Sequence, residues 1–265
     1  MKKKISITID ENTLKDIDSI IDNITVRNRS QAIEFLAKNA LGENRTAVIL
    51  SGGEEDKLKI NSEDYRITAK TGNTTVVERA IKKLRENGFK EIYIIARQKV
   101  LTKVFDIIKD GSSYSVKINY VEEKEGNGSG DTLALVKGKI KKNFLTVYGH
   151  IIFEKLNLEE LWNQHIRHNL VATLVLTTSA NPSEKGTVVM EGSKILEFVQ
   201  KPRQTDVHLV FSPIFMASPD IFNYARAKLE YDVFPKLAKL GLLSGHVSAE
   251  KEQHIHTAED AKKIR

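Results

Sequence analysis

The run Ala47, Val48, Ile49, Leu50, ending in Ser51, Gly52 and Gly53, constrains this chain more than any other stretch. Four consecutive apolar residues leave no polar face, so a strand here is covered on both sides, the condition of a parallel sheet between helix layers. Paired glycines at its end remove two Cβ atoms and let backbone N–H groups close on a phosphate or a nucleobase. A tight turn without a ligand is the competing reading. Around this run, segments alternate: a helix at 76–87 ending at Gly88, a strand at 91–96, a helix at 100–109 and a strand at 117–121. Residues 139–147 lead into a further strand, and 171–177 into one more. The alternation predicts a Rossmann-like, mostly parallel α/β/α domain over residues 46–265. No internal repeat or low-complexity linker interrupts it.

Residues 1–43 read as a module of their own, joined by the short polar linker Glu43, Asn44 and Arg45. Ile5, Ile7 and Ile9 alternate with Lys4, Ser6 and Thr8, the period-two pattern of a strand. Asp10 is placed to cap a helix running to about Asp22, with Leu14, Ile17 and Ile21 in one stripe. Ser30 is placed to cap a second, with Ala32, Ile33, Phe35, Leu36 and Ala40 on its apolar face and Gly42 past its end. One strand and two short helices cannot bury a sufficient core alone, and an unpaired strand edge invites a second copy.

On these residues the segment resembles the ribbon-helix-helix repressors over its whole length. In that family two chains pair their strands into an antiparallel ribbon that enters the DNA major groove. The resemblance implies a homodimer, or a larger assembly such as a tetramer, with double-stranded DNA as partner. It puts base-reading side chains at Lys4, Ser6 and Thr8, a phosphate at the helix start near Arg29, Ser30 and Gln31, and DNA-backbone contacts at Lys2 and Lys3. A dimerisation arm without a DNA target is the competing reading, since Asp16, Asp18 and Asp22 dilute the basic face.

Lysine and arginine outnumber aspartate and glutamate by 41 to 35, a net charge of +6 that permits a polyanionic partner without requiring one. The absence of cysteine excludes a disulfide framework and thiolate chemistry. No stretch approaches the roughly 18 consecutive apolar residues of a membrane span. The basic start, Lys2 to Lys4, runs into alternation and not into a hydrophobic block. A cytoplasmic protein with no membrane partner is expected.

The glycine pair and the residues after it resemble the opening of the sugar nucleotidyltransferases, which join a nucleoside triphosphate to a sugar 1-phosphate. That family reads roughly L-A-G-G-x-G-T-R-L. This chain keeps Gly52, Gly53 and Leu58 and has Glu55, Asp56 and Lys57 where the family has Gly, Thr and Arg. The resemblance runs from about residue 47 to the C-terminus. The lysine of the family's P-K-x-L-L-P-V-x-G-K-P falls on Arg66. Its L-G-T-A-G-A-L falls on residues 127–133, keeping Gly128 and placing Asp131 where a glycine is usual. Its E-K-P appears as Gln200, Lys201 and Pro202, and its N-A-G-I-Y as Phe211, Ser212, Pro213, Ile214 and Phe215. The resemblance implies a nucleotide or nucleotide-sugar pocket at Gly52, Gly53, Lys57, Arg66, Gly128, Asp131, Gln200 and Lys201, altered at its reactive positions.

The family's two Mg²⁺ aspartates correspond to His150, after Gly149, and to the histidines of His254, Ile255, His256, Thr257. Mg²⁺ is a hard cation that prefers oxygen, so the resemblance implies that Mg²⁺ is lost and that no cofactor is required. If His150, His254 and His256 converge, they suit Zn²⁺, Ni²⁺ or another transition metal; ordinary hydrogen-bonded histidines are the other reading. His165 and His168 read as helix-surface residues. Joined, the two resemblances predict a DNA-binding transcriptional regulator whose large domain is a catalytically degenerate nucleotidyltransferase. That domain, with no catalytic residue, would serve as ligand sensor or oligomerisation module. The alternatives are an active sugar-1-phosphate nucleotidyltransferase with an altered metal site, and a non-enzymatic scaffold dimerised by the N-terminal ribbon.

Overall fold

Asp10 starts the first helix as its sequence predicts. In the computed structural model, which describes residues 4–21, 26–41, 45–126 and 128–264, its carboxylate accepts from the N–H groups of Asn12 and Thr13 at 3.1 and 3.0 Å. Helix α1 (Glu11–Ser19) follows. Helix α2 (Arg29–Leu41) begins on Asn28 and not on Ser30, because the Asn28 side chain accepts from Gln31 N–H at 2.9 Å. Arg29 pairs with Asp18 at 2.7 Å, and Ile17, Val26 and Ala32 make a small core with Ile9, Ile21 and Ile33 packed on it. The strand expected at 4–9 is not formed. A strand needs a neighbour's N–H and C=O groups, and this single chain supplies none to it among the described residues. Ile5 and Ile7 consequently stand 72% and 52% exposed. The parts expected of Lys2, Lys3, Asp22, Gly42 and Asn127 fall outside the described residues. By its internal contacts the chain divides into two units, Met1–Asn44 and Arg45–Arg265.

The second unit is built on β1 (Arg45–Ser51), buried along its whole length. In parallel with it, β2 (Phe89–Ala96) and then β3 (Lys117–Glu122) extend the sheet on one side, and β4 (Phe144–Tyr148) on the other. Ala47 and Ile49 enter one core, with the apolar stripes of α3 (Val76–Glu86) and α4 (Gln98–Ile108). Val48 and Leu50 enter the opposite core, with Leu133 of the short α5 (Ser129–Ala134). The uninterrupted apolar run is thus explained by two covered faces. Thr75 caps α3 in a capping box with Glu78, whose carboxylate accepts from Thr75 N–H at 2.9 Å.

The sheet is mixed, where a mostly parallel one was expected. Strands β5 (Ala172–Thr178), β6 (Gly186–Glu191), β7 (Lys194–Gln200), β8 (Leu209–Ala217) and β9 (Leu243–Val247) complete the order β3-β2-β1-β4-β8-β5-β9-β7-β6. β8 runs antiparallel to both β4 and β5, and β6 and β7 form a hairpin across Gly192, which is left-handed at φ 56°. The short link between β6 and β7 leaves no room for a helical crossover, so they pair antiparallel, whereas β9, reached from β8 through a helix-containing stretch, runs parallel to β5. The register of β8 slips between Phe211 and Phe215, around Pro213, which has no N–H to give to a ladder. Phe211 and Phe215, read from the sequence as bulk in a pocket, each lie 5.3 Å from the ring centroid of Phe234 in the core.

Two polar residues are more deeply placed than their sequence context suggests. Arg45, read as linker, opens β1 at 4% exposure; its guanidinium bonds both carboxylate oxygens of Glu159, at 2.5 and 3.0 Å, and lies 4.4 Å from the Trp162 ring centroid. Both partners come from α6 (Leu158–His168). His165 of the same helix, expected at the surface, is 1% exposed: its Nδ1 lies 2.9 Å from Thr173 Oγ1, itself 2.7 Å from Ser244 Oγ. Burial, and then the charge of His168, lowers the His165 pKa to about 4. Folding therefore holds this imidazole neutral, whereas the unfolded chain takes up a proton below about 6.5. Its contribution to stability is full above that pH and lost as pH falls toward 4. In urea titrations at pH 7.5 and 4.5, the stability difference between wild type and His165→Gln is expected to shift against the wild type by roughly 2–3 kcal/mol at the lower pH. A pH-independent difference would show that the imidazole titrates normally.

Candidate active site

The chain order divides at β1, with β2 on one side and β4 on the other, and ligands of open α/β sheets bind outside the carboxyl ends of the strands at such a point. Here that place is filled from below by Glu123, one residue past β3 and 1% exposed. Its carboxylate accepts from Gly53 N–H at 2.5 Å and from the Thr132 hydroxyl of α5. The Arg97 guanidinium lies 3.8 Å away and also donates to Gly53 O at 3.2 Å. These partners satisfy a carboxylate that would otherwise be too costly to bury. A Cβ on Gly52 would lie 2.5 Å from the carboxylate oxygens, so the first glycine is required by close approach. Gly53 N–H, expected to reach for a ligand, is committed to Glu123. Sequence reasoning missed this residue. It sits in Glu122, Glu123, Lys124, Glu125, a run with the look of a solvated turn, and nothing in the run marks which carboxylate turns inward.

Above this base a cleft of about 270 Å³ is lined by Gly52, Gly53, Lys57, Gly128, Tyr148 and Lys228, among others. Of the expected pocket residues, Gly52, Gly53, Lys57 and Gly128 come together; Arg66, Asp131, Gln200 and Lys201 are not in the lining. Asp131 turns aside to accept from Ala227 N–H at 3.0 Å, while Ala227 O accepts from Gly130 and Asp131 N–H at 2.8 and 3.2 Å. Gly128, at φ +150°, would put a Cβ 2.4 Å from that same carbonyl. Residues 128–131 are therefore clamped on 226–228, and the α5 amide donors at 130 and 131 are used in the clamp. Glu230 is engaged as well, accepting from Tyr148 OH and from Ser129 Oγ at 2.8 Å. Burial, and then the charge of Glu230, raises the Tyr148 pKa, so its phenol stays protonated. Lys201 is exposed and left-handed at φ 48°, and Gln200 Oε1 is buried without a hydrogen-bond partner among the described residues.

The three expected histidines do converge. Beyond β4, Ile151–Ile152 pairs antiparallel with Gln253–His254, and Ile255 N–H donates to His150 O at 2.8 Å. Alternation along 254–256 puts His254 and His256 on one side and Ile255, fully buried, on the other. Ring centroids are 5.6 Å apart for His150–His254, 5.1 Å for His150–His256 and 5.6 Å for His254–His256. One nitrogen from each ring lies within 4.8 Å of the other two. Burial, then His254, His256 and the Arg66 guanidinium, pushes the His150 pKa down to about 3, so the ring is neutral at pH 7. The Tyr148 ring meets His150 edge-on at 6.1 Å, which sets the cluster beside the cleft. Three imidazoles do not fit Mg²⁺, which takes oxygen ligands; they suit a borderline transition cation.

The sequence model of the nucleotidyl transferase family matches residues 46–250. Among named proteins, the chain is 28% identical over 203 residues to a probable mannose-1-phosphate guanylyltransferase 1 from Oryza sativa subsp. japonica, covering 72% of this chain and 56% of that protein. It is 26% identical over 179 residues to the bifunctional protein GlmU of Methanococcus aeolicus, covering 67% and 41%. The chain thus spans about half the length of the curated relatives it matches. Its fold is similar to the crystal structure of a putative glucose-1-phosphate thymidylyltransferase from Bacillus anthracis, with a TM-score of 0.75 and 18% identity over 83% of this chain and 94% of that one.

These likenesses overturn the expectation of a DNA-binding transcriptional regulator with a catalytically degenerate large domain: the relatives are named as transferases. The physical ground of that expectation also weakens, because Asp131 and the two phenylalanines, read as damage to a pocket, are turned into a backbone clamp and into the core. Among the described residues no helix is long and apolar enough to cross a membrane. The chain belongs to the nucleotidyl transferase family.

Proposed function

We propose that the chain transfers a nucleotidyl group from a nucleoside triphosphate to a sugar 1-phosphate. The family match across residues 46–250 carries the proposal, and the cleft at the carboxyl ends of β1 and β4 supports it. In that reaction a phosphate oxygen of the sugar 1-phosphate attacks the α-phosphorus. The bond from that phosphorus to the bridging oxygen breaks, and pyrophosphate leaves. Both substrates are anions, so the barrier responds chiefly to positioning and to cationic charge. Lys57 and Lys228, both in the cleft lining, supply that charge, and Tyr148 lines the same cleft with its protonated phenol bonded to Glu230.

Incubation of the full chain with each common nucleoside triphosphate and a panel of sugar 1-phosphates, read by pyrophosphate release and mass spectrometry, is expected to yield a nucleotide sugar from at least one pair. No nucleotide sugar from any pair would overturn the proposal. For the productive pair, Lys57→Ala and Lys228→Ala are each expected to lower kcat/KM by about tenfold to a hundredfold. Gly52→Ala, which drives a methyl into the Glu123 carboxylate, is expected to cost roughly 1–3 kcal/mol of stability and most of the turnover.

For the first unit we propose a ribbon-helix-helix-like pairing in which residues 4–9 form a two-stranded ribbon with the same segment of a second copy. Exposed Ile5 and Ile7 line a groove with Ile33 and Ala37 of α2, a surface that a second strand and helix pair would cover. Light scattering is expected to give a dimer or a multiple of one, and Ile7→Lys a monomer. An unchanged mass in the variant would count against pairing through this segment.

A further inference from the structure

The three histidines beside the cleft are each held in place by contacts of their own segment. His150 is fixed by its carbonyl, bonded to Ile255 N–H at 2.8 Å, and by Gly149 packed against Ser51 at the end of β1. His256 is fixed by a capping box at the next helix (Ala258–Lys263): Asp260 accepts from His256 N–H at 3.0 Å and from Thr257 N–H at 2.9 Å. His254 is fixed by Glu252, whose carboxylate lies 2.8 Å from His254 Nε2 and whose side chain is 4% exposed. A carboxylate there accepts a hydrogen bond from Nε2–H, which leaves the Nδ1 lone pair available as a ligand. The rings of His150 and His256 have no hydrogen-bond partner among the described residues. Three imidazoles have been gathered, one has its tautomer set by a buried carboxylate, and two have nothing to bond.

We propose that His150, His254 and His256 form a binding site for a divalent transition cation of the Zn²⁺ class, with Glu252 as the positioning residue behind His254. At Zn–N distances of about 2.0–2.1 Å, tetrahedral ligands stand roughly 3.3 Å apart. The donor atoms here lie within 4.8 Å of one another, so small rotations about side-chain bonds close the set. Three protein nitrogens leave a fourth position open for water or an oxygen ligand, the pattern of a cation that is used and not merely structural. Neutral nitrogen donors also select against Mg²⁺ and Ca²⁺, which take oxygen. The site stands on these side chains alone; cation binding is measured without turnover, so it can fail while the transferase reading holds, and the reverse.

Full-length protein stripped by a chelator and dialysed is titrated with Co²⁺, whose visible absorption reports a low-coordinate nitrogen site, then with Zn²⁺ in competition. Expected are saturable, equimolar Co²⁺ binding with visible bands, displacement by Zn²⁺, and indifference to excess Mg²⁺. His256→Ala, at an exposed position and so least disturbing to packing, and His150→Ala are each expected to abolish the bands and weaken binding by more than about tenfold. Glu252→Gln is expected to keep the bands and weaken binding by about tenfold, and His208→Ala, exposed and outside the cluster, to change nothing. Thermal melts identify any variant that does not fold, and the remaining histidine variant then decides. Absence of saturable binding by the wild type, displacement by Mg²⁺, or binding unchanged in both histidine variants would overturn the site.

Discussion

The buried carboxylate of Glu123 ties together the glycine loop, α5 and the ends of β2 and β3 at the base of the cleft. It stands at the end of β3, reaches under the loop that follows β1, and meets the first turns of α5 through Thr132. Arg97, at the end of β2, balances its charge and holds the same loop by its carbonyl. Four chain segments therefore converge on one group that water cannot reach. A side chain so placed is stable only while all its partners are present, and this couples the glycine loop to the helix across the cleft. Glycine at position 52 is best explained by this packing, and the free approach of backbone to ligand comes as a consequence of it.

Much of the parallel half of the fold was legible in the sequence because its signals are local. Apolar runs of strand length and the helix at α3 with its stop at Gly88 follow from the composition of short windows. The antiparallel half was less legible, since the pairing of β8 with both β4 and β5 is a long-range choice. Its bulge at Pro213 blurs the period-two pattern as well. Depth was the least legible property. Arg45 and His165 are polar residues in polar contexts, and only the partners brought by α6, Thr173 and Ser244 make their burial tolerable. The histidine cluster was legible only by analogy of position, yet the alternation of His254, Ile255 and His256 already put both rings on one side.

Reading substitutions one position at a time misjudged what they do. An acidic side chain in a phosphate-binding stretch repels anions only if its charge faces the ligand. Asp131 faces a backbone N–H, where the carboxylate is used to hold the 226–228 segment. Phe211 and Phe215 add volume to an aromatic cluster around Phe234, so they report on core packing. At the site proposed above, histidine in place of aspartate would change which cations are accepted without removing the capacity to hold one. Each residue type kept a physical role, but the role belongs to the neighbours the fold supplies.

The distribution of charge around the cleft follows the same logic. The carboxylates beneath and beside it are engaged with protein donors: Glu123 with Gly53, Thr132 and Arg97, Glu230 with Tyr148 and Ser129, and Asp131 with Ala227; Glu54, in the lining itself, is exposed and pairs with Lys57. The cations are differently placed. Lys57 is 73% exposed and, among the described residues, pairs with exposed Glu54 alone at 2.9 Å, a contact worth about 0–1 kcal/mol and readily exchanged for a phosphate. Lys228 has no carboxylate within ion-pair distance among the described residues; its ammonium lies 5.5 Å from the Tyr231 ring centroid. Apart from exposed Glu54, negative charge is therefore locked into the framework, while positive charge stays free to reorganise. For the anionic substrates proposed above, Lys57 and Lys228 are the cations able to turn toward the ligand, whereas Glu123, Glu230 and Asp131 are held by their hydrogen bonds to the framework. Acidic residues such as Asp131 in the motif positions are compatible with an anionic ligand for that reason, and the fold, not the composition, decides which charges face the cleft.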